Sequence, residues 1–150
     1  MCWLASLHWS DLLHGGKTNE LRHFLADPAV AADPAAAIAD RLARGERIPA
    51  FGHPLYPDGD PRASTLLQHM SLLPRTRRVV EAMLALTGIA PNIDFALLAL
   101  EQRYRLPAGA AFATFAIGRT VGWIAHALEQ WRDGTLIRPR AVYPADGRGG

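Results

Sequence analysis

The helix boundaries in this sequence are written in proline and glycine, and they leave little room for anything but helices. Asp33-Pro34 and Asp60-Pro61 each place a short acidic side chain where it can accept free helix amides, with proline at the first helical position. The first device opens a helix over Ala35–Arg44, with Gly45 positioned for a left-handed cap. The second opens one from Pro61 to about Leu73, where Pro74 ends it. Arg75–Thr87 carries Val79, Val80, Met83, Leu84 and Leu86 at helical spacing and closes at Gly88. Pro91-Asn92 caps Ile93–Tyr104, and a long helix runs from about Gly109 to Arg132, stopped by Gly134. A short helix near Asn19–Ala26 completes the set. No Asn-Gly hairpin and no sustained alternation argues for a strand, so the expected class is all-α.

Composition excludes several functions. The chain has 150 residues, and sixteen basic against fourteen acidic side chains leave +2, weak steering for nucleic acid. A single cysteine, Cys2, removes intramolecular disulfides and cysteine-rich zinc sites. His8, His23 and His69 lack metal-ligand spacing, so no metal is expected. The longest apolar run, Leu106–Gly118, is interrupted by Arg119 and is too short to cross a bilayer. Met1–Leu13 has no basic n-region. Those features predict a cytoplasmic chain without membrane contact. Every basic residue but Lys17 is arginine, a guanidinium fork that fits carboxylates and phosphates.

Two irregular stretches interrupt the helices: Leu13-His14-Gly15-Gly16, and Ile48 to Tyr56 with Phe51-Gly52-His53 at its centre. Histidine beside glycine lets backbone approach a ligand closely, although either stretch alone is equally an ordinary turn. Asp94 falls in the first turn of a helix capped by Asn92, where the dipole favours an ionised carboxylate, as it does for many acids with no catalytic role. Arg62 sits near another helix N-terminus and reads equally as a surface arginine. Arg119 shares a helix face with Phe115, Gly122 and His126 and needs an anionic partner, a ligand or a structural acid. His126 and Glu129 form an i, i+3 pair, and Arg75, Arg77 and Arg78 read as a solvated face.

Together these stretches resemble one family. Phe51-Gly52-His53-Pro54-Leu55-Tyr56 followed by Asp60-Pro61-Arg62-Ala63 resembles the Gly-Phe-Gly-His…Asp-Pro-Arg-Ala motif of the citrate synthases. Leu13-His14-Gly15-Gly16 resembles their Leu-His-Gly-Gly, and Pro91-Asn92-Ile93-Asp94-Phe95 their Pro-Asn-Val-Asp-Phe. Gly118 to His126, with Glu129 and Arg138-Pro139-Arg140, resembles their last helix and tail. Departures are Asp11-Leu12 in place of Gly-Pro, Lys17 where a small residue is usual, and Ala50 where the family has glycine.

The resemblance implies a helical small domain over residues 13–105, a C-terminal helix and tail of the large domain over 106–143, an unplaced stretch over 1–12 and a loose tail over 144–150. It implies condensation of acetyl-CoA with oxaloacetate, or cleavage of citryl-CoA by the same groups in reverse, with no cofactor beyond acetyl-CoA as substrate. By resemblance, His14 bonds the thioester oxygen, Asp94 removes the methyl proton and His53 polarises the keto group. Arg62, Arg119 and Arg138 grip the dicarboxylic 2-oxo acid, Arg138 from a neighbouring subunit. Arg47, Ala50, Phe51 and Gly52 lie along CoA. The chemistry needs these types: a thioester methyl is a very weak acid, so its removal requires a placed base and a donor on the developing enolate oxygen. A neutral imidazole can serve as that donor.

The family's N-terminal part, with its own oxaloacetate-binding motif, has no counterpart in the sequence. The resemblance therefore implies a homodimer or a complex with an N-terminal half, covering Ala111, Phe112, Phe115, Ile124 and Leu128, which would otherwise form an exposed patch. A CoA-binding module without turnover, or an inactive fragment, are the alternatives.

Overall fold

A computed structural model describes residues 14–134. Within them lie seven helices: α1 (His14–Ala26), α2 (Pro28–Ala32), α3 (Pro34–Ala43), α4 (Pro61–Gln68), α5 (Pro74–Thr87), α6 (Ile93–Arg103) and α7 (Ala110–Asp133). No strand occurs among the described residues; Phe51 and Pro91 form one isolated antiparallel bridge. The all-α expectation is met. One compact unit extends to Ile117, and a second starts at Gly118 within α7.

The aspartates and prolines act as their positions dictate. Asp33 accepts the Ala35 and Ala36 amides, and Asp60 accepts that of Arg62, with proline at the first helical turn in each case. Asp27-Pro28 uses the same device to open the five-residue α2, which the sequence reading passed over. Gly45 (φ +75°) closes α3 in a Schellman motif: its own N–H bonds the Leu42 carbonyl and that of Glu46 bonds the Arg41 carbonyl. α6 ends the same way with Arg105 at the left-handed position (φ 53°), at a cost of about 1 kcal/mol that no glycine advertises.

Three boundaries differ from the sequence reading. α1 begins at His14, so the His-Gly-Gly stretch is helical rather than a loop. α4 stops at Gln68, five residues before Leu73, and Pro74 opens α5 instead of merely ending α4. Proline disfavours helix in the residue before it, and Leu73 is extended (ψ 146°). Arg75 and Arg78 are not a purely solvated face. They donate to the carbonyls of Asp27, Ala31 and Ala32. The last two lie at the C-terminal end of α2, where carbonyls lack an intrahelical partner, whereas that of Asp27 also accepts the Ala31 amide.

The core centres on α6, which packs against α1 and α4, while α3 packs against α2 and α5. Phe95, Ala96 and Leu98 are fully buried, and Phe95 and Leu98 meet Leu21 and Phe24 of α1, Ile38 of α3 and Val79 of α5 in one cluster. Burying a side chain such as Phe95 contributes roughly 2–3 kcal/mol. α6 is thus apolar because other helices of this unit surround it.

One buried acid anchors its far end. Glu101, 3% exposed, accepts a bond from Arg22 of α1 at 2.5 Å and from the Ala111 amide at the start of α7 at 3.0 Å. Burial pushes its carboxyl up, but the Ala111 amide, the Arg22 hydrogen bond and charge, and the Gly109 amide together hold it below the ordinary range.

Candidate active site

The Asp94-bearing end of α6 is locked to the Ala50–His53 loop by a small set of bonds. Across the Phe51–Pro91 bridge, the Gly52 amide donates to the Ala90 carbonyl (2.9 Å) and the Asn92 amide to that of Ala50 (3.0 Å). In such a pair the bonded groups flank the bridge, so the amide and carbonyl of Phe51 itself point away from it. Asn92 latches both sides. Its Nδ2 donates to the Gly52 carbonyl (2.9 Å) while its Oδ1 accepts the Asp94 and Phe95 amides, capping α6. The Phe51 ring seats on Phe95 with centroids 5.1 Å apart.

The backbone conformation explains the glycine. Gly52 is left-handed (φ +71°), and a Cβ there would meet Ile89 Cγ2 at 3.2 Å. Ala50 is also left-handed (φ 65°), at the position where the motif this stretch resembles carries glycine. Its methyl joins the core cluster, which offsets part of the strain.

Asp60 is the second fastener. Its side chain is fully buried and accepts four bonds. Oδ1 takes the Arg62 amide (3.0 Å) and Nε (2.9 Å), and Oδ2 takes Arg62 Nη2 (2.8 Å) and the Ile93 amide (3.0 Å). One carboxylate therefore joins the start of α4 to the turn before Asp94. Burial raises the Asp60 carboxyl, but the Arg62 side chain, the Arg62 and Ile93 amides and the Arg62 charge outweigh it and hold it below its ordinary value. Asp60 in turn raises Arg62, to which the Tyr56 and Asp94 charges add.

His53 is half-buried and oriented. The Leu55 amide donates to its Nδ1 at 3.1 Å, so in the neutral ring the proton resides on Nε2, a donor for a ligand oxygen. Its ring lies 5.0 Å from that of Tyr56. A groove of about 580 Å³ runs beside Arg62, lined also by Pro61, Thr65, Leu66, His69 and Ile93.

Residues 8–140 match the family model for the citrate synthase C-terminal domain. The chain belongs to the citrate synthase family. It is 36% identical over 148 residues to the citrate synthase of Haloferax volcanii, covering 91% of this chain and 39% of that protein. It is 33% identical over 141 residues to 2-methylcitrate synthase 1 of Corynebacterium glutamicum, covering 87% of this chain and 37% of that one. Among solved structures, citrate synthase from Thermotoga maritima superposes with a TM-score of 0.69 at 28% identity, over 91% of this chain and 41% of that one. The chain thus spans about two fifths of the length of the citrate synthases it matches.

The residues singled out from the sequence are placed as follows. Ala50, Phe51, Gly52, His53, Arg62 and Asp94 converge at the loop–α6 junction. Arg47 is exposed just before that loop. His14 is the first residue of α1. Arg119 is exposed on α7 in the second unit and lies over Gly122, where a Cβ would collide with its guanidinium. Arg138 lies outside the described residues. His126 bonds Glu129 at 3.2 Å, as their spacing suggests. Three residues gain a place in the site beyond any role read from the sequence: Asp60 and Asn92, read as caps, and Tyr56. All three lie within the motifs that resemble the family, each two or three residues from a named group.

Among the described residues no cluster of His, Cys, Asp or Glu could hold a metal ion, and no helix is long and apolar enough to cross a membrane. The expected patch is partly different. Ala111 is buried and Phe115 half-buried, but Phe112, Ile124 and Leu128 are exposed, joined by Ile117, Val121, Trp123 and Trp131, the last 81% exposed.

Proposed function

We propose that this chain carries the acyl-CoA-activating part of a citrate synthase-type site and condenses acetyl-CoA with oxaloacetate through an enol. The observation that carries the reading is the Asn92 latch, which fastens the base-bearing turn of α6 to the loop holding His53. Asp94 takes a methyl proton from acetyl-CoA while His14 donates to the thioester oxygen, giving the enol. The enol carbon attacks the keto carbon of oxaloacetate, and His53 Nε2–H donates to the keto oxygen as it gains charge. Water then cleaves the thioester, releasing citrate and CoA. Arg62, Arg119 and Arg138 hold the two carboxylates. Arg47 and the outward amide and carbonyl of Phe51, flanked by Ala50 and Gly52, receive CoA.

The site is completed by further polypeptide, either a second copy of this chain or a part equivalent to the remaining three fifths of the relatives. The exposed Ile117, Val121, Trp123, Ile124 and Trp131 of α7 support this, since an apolar helix face of that size marks an interface. A cytoplasmic location belongs to the same proposal.

The test is hydrogen exchange at the methyl of acetyl-CoA in D₂O, followed by product analysis with acetyl- and propionyl-CoA, because relatives carry both citrate and 2-methylcitrate synthase names. Exchange should fall at least about a hundredfold in Asp94→Asn with CoA affinity within about threefold, since a positioned base contributes roughly 10²–10⁴. Exchange unchanged in that variant removes Asp94 from the role. Tight CoA binding by the wild-type chain without exchange supports the CoA-binding module instead.

A further inference from the structure

Tyr56 occupies a place that none of the assigned roles explains. Its amide donates to the His53 carbonyl (3.0 Å) and its carbonyl accepts the Gly59 amide (3.1 Å), so two consecutive turns hold it. One neighbour of its ring is the His53 imidazole, centroids 5.0 Å apart at 41°. The other is the Arg62 guanidinium, whose Cζ stands 5.0 Å from the ring centre. Both neighbours are pinned from their other sides as well. His53 receives the Leu55 amide on Nδ1, and Arg62 makes two side-chain bonds to buried Asp60.

That geometry decides which donors remain outward. With Nδ1 occupied as an acceptor, neutral His53 offers Nε2–H. The Asp60 bonds use two of the five guanidinium N–H donors, on the Nε side, and leave the end of the fork for a second carboxylate. A cation over an aromatic face is attracted by the ring's negative face, more strongly when dehydrated. The ring is therefore a shared wall between a group suited to a polarised carbonyl and one suited to a carboxylate.

We propose that Tyr56 is a positioning residue: its ring, held against both His53 and Arg62, sets them in the one relative arrangement that takes the keto oxygen and a carboxylate of the same 2-oxo dicarboxylate. The proposal rests on the function given above for its ligand, and on the ring contacts alone for its geometry. The ring, not the hydroxyl, does the positioning, so Tyr56→Phe and Tyr56→Leu separate the two.

The experiment has one arm with ligand and one without. By calorimetry with oxaloacetate, Tyr56→Phe should bind within threefold of the wild-type chain and Tyr56→Leu at least tenfold more weakly, with CoA affinity changed less than twofold in both. Equal losses of oxaloacetate and CoA affinity in Tyr56→Leu would show a merely structural ring and overturn the proposal, as would unchanged oxaloacetate binding. In the second arm, nitrogen NMR without ligand follows the His53 tautomer and the exchange of Arg62 Nε–H. The Nε2–H form and a slowly exchanging Nε–H should persist in Tyr56→Phe and be lost in Tyr56→Leu; their survival in Tyr56→Leu would show that Tyr56 holds nothing. Failure of the wild-type chain to bind oxaloacetate even with the polypeptide that completes its site present overturns the ligand and the function together, while the second arm still decides whether the ring orients its neighbours.

Discussion

Asp60→Asn is the sharpest probe of how this site is held together. The carboxylate accepts four bonds, two on each oxygen. Asparagine keeps the shape and one oxygen, so two donors lose their acceptor and face an NH₂ group instead. A hydrogen bond to a charged group is worth about 1.5–3 kcal/mol net, so the direct loss is about 3–6 kcal/mol. Arg62 is 42% exposed and can turn part of its fork to water, whereas the Ile93 amide sits on a buried partner. The relaxed figure is then about 2–4 kcal/mol, or close to 10 °C in Tm for a chain of this length. Thermal unfolding followed by circular dichroism measures the total. Amide hydrogen exchange localises it: Ile93 and Arg62 should exchange faster, while α3 and α5 keep their protection. A Tm within 2 °C of wild type, or loosening spread evenly over the helices, would refute the idea that Asp60 fastens the Asp94-bearing turn.

Two further outcomes follow from the same bonds. Asp60 and Glu101 are both held below their ordinary values, so the folded state binds fewer protons than the unfolded one. Their contribution is fully present above the unfolded value, about 4, and is lost as pH falls through the lower folded values. The stability gap between wild type and Glu101→Gln should be constant from pH 7 to pH 5 and shrink below about pH 4; a gap that widens on acidification contradicts the assignment. Gly52→Ala should cost about 1 kcal/mol net, since left-handed strain of roughly 1–2 kcal/mol exceeds the entropy gained in the unfolded chain. Gly88→Ala has similar φ but nothing within 4 Å, so the difference between their denaturation midpoints isolates the Ile89 contact.

Much of the helical frame was legible because its signals are local. An aspartate before a proline caps a helix whatever surrounds it, as Asp33 and Asp60 do, and Asn92 after Pro91 caps α6 in the same local way. The misread boundaries are those where local signals conflict. Gly15 and Gly16 disfavour helix by roughly 1 kcal/mol each, yet α1 begins before them, at His14. Pro74 is read as a stop although it can equally be a first residue, and the structure uses it as a start. Arg105 closes α6 without a glycine, a choice that sequence alone does not signal.

The sequence by itself determined the helical class, most of the caps and, through four ordered motifs, the family. It also placed His53, Arg62 and Asp94 near helix starts or glycine, because those requirements act within a few residues of chain. Only the tertiary structure decided what joins them. Asn92 reaches forty residues back to Gly52, Asp60 thirty-three residues forward to Ile93, and Arg22 seventy-nine residues on to Glu101. Such bonds depend on where helices cross, and that is set by packing around Phe95 and Leu98 rather than by any local pattern. The same packing turned Asp60 from a helix cap into a clamp, and Tyr56 from one more loop aromatic into the wall between a histidine and an arginine.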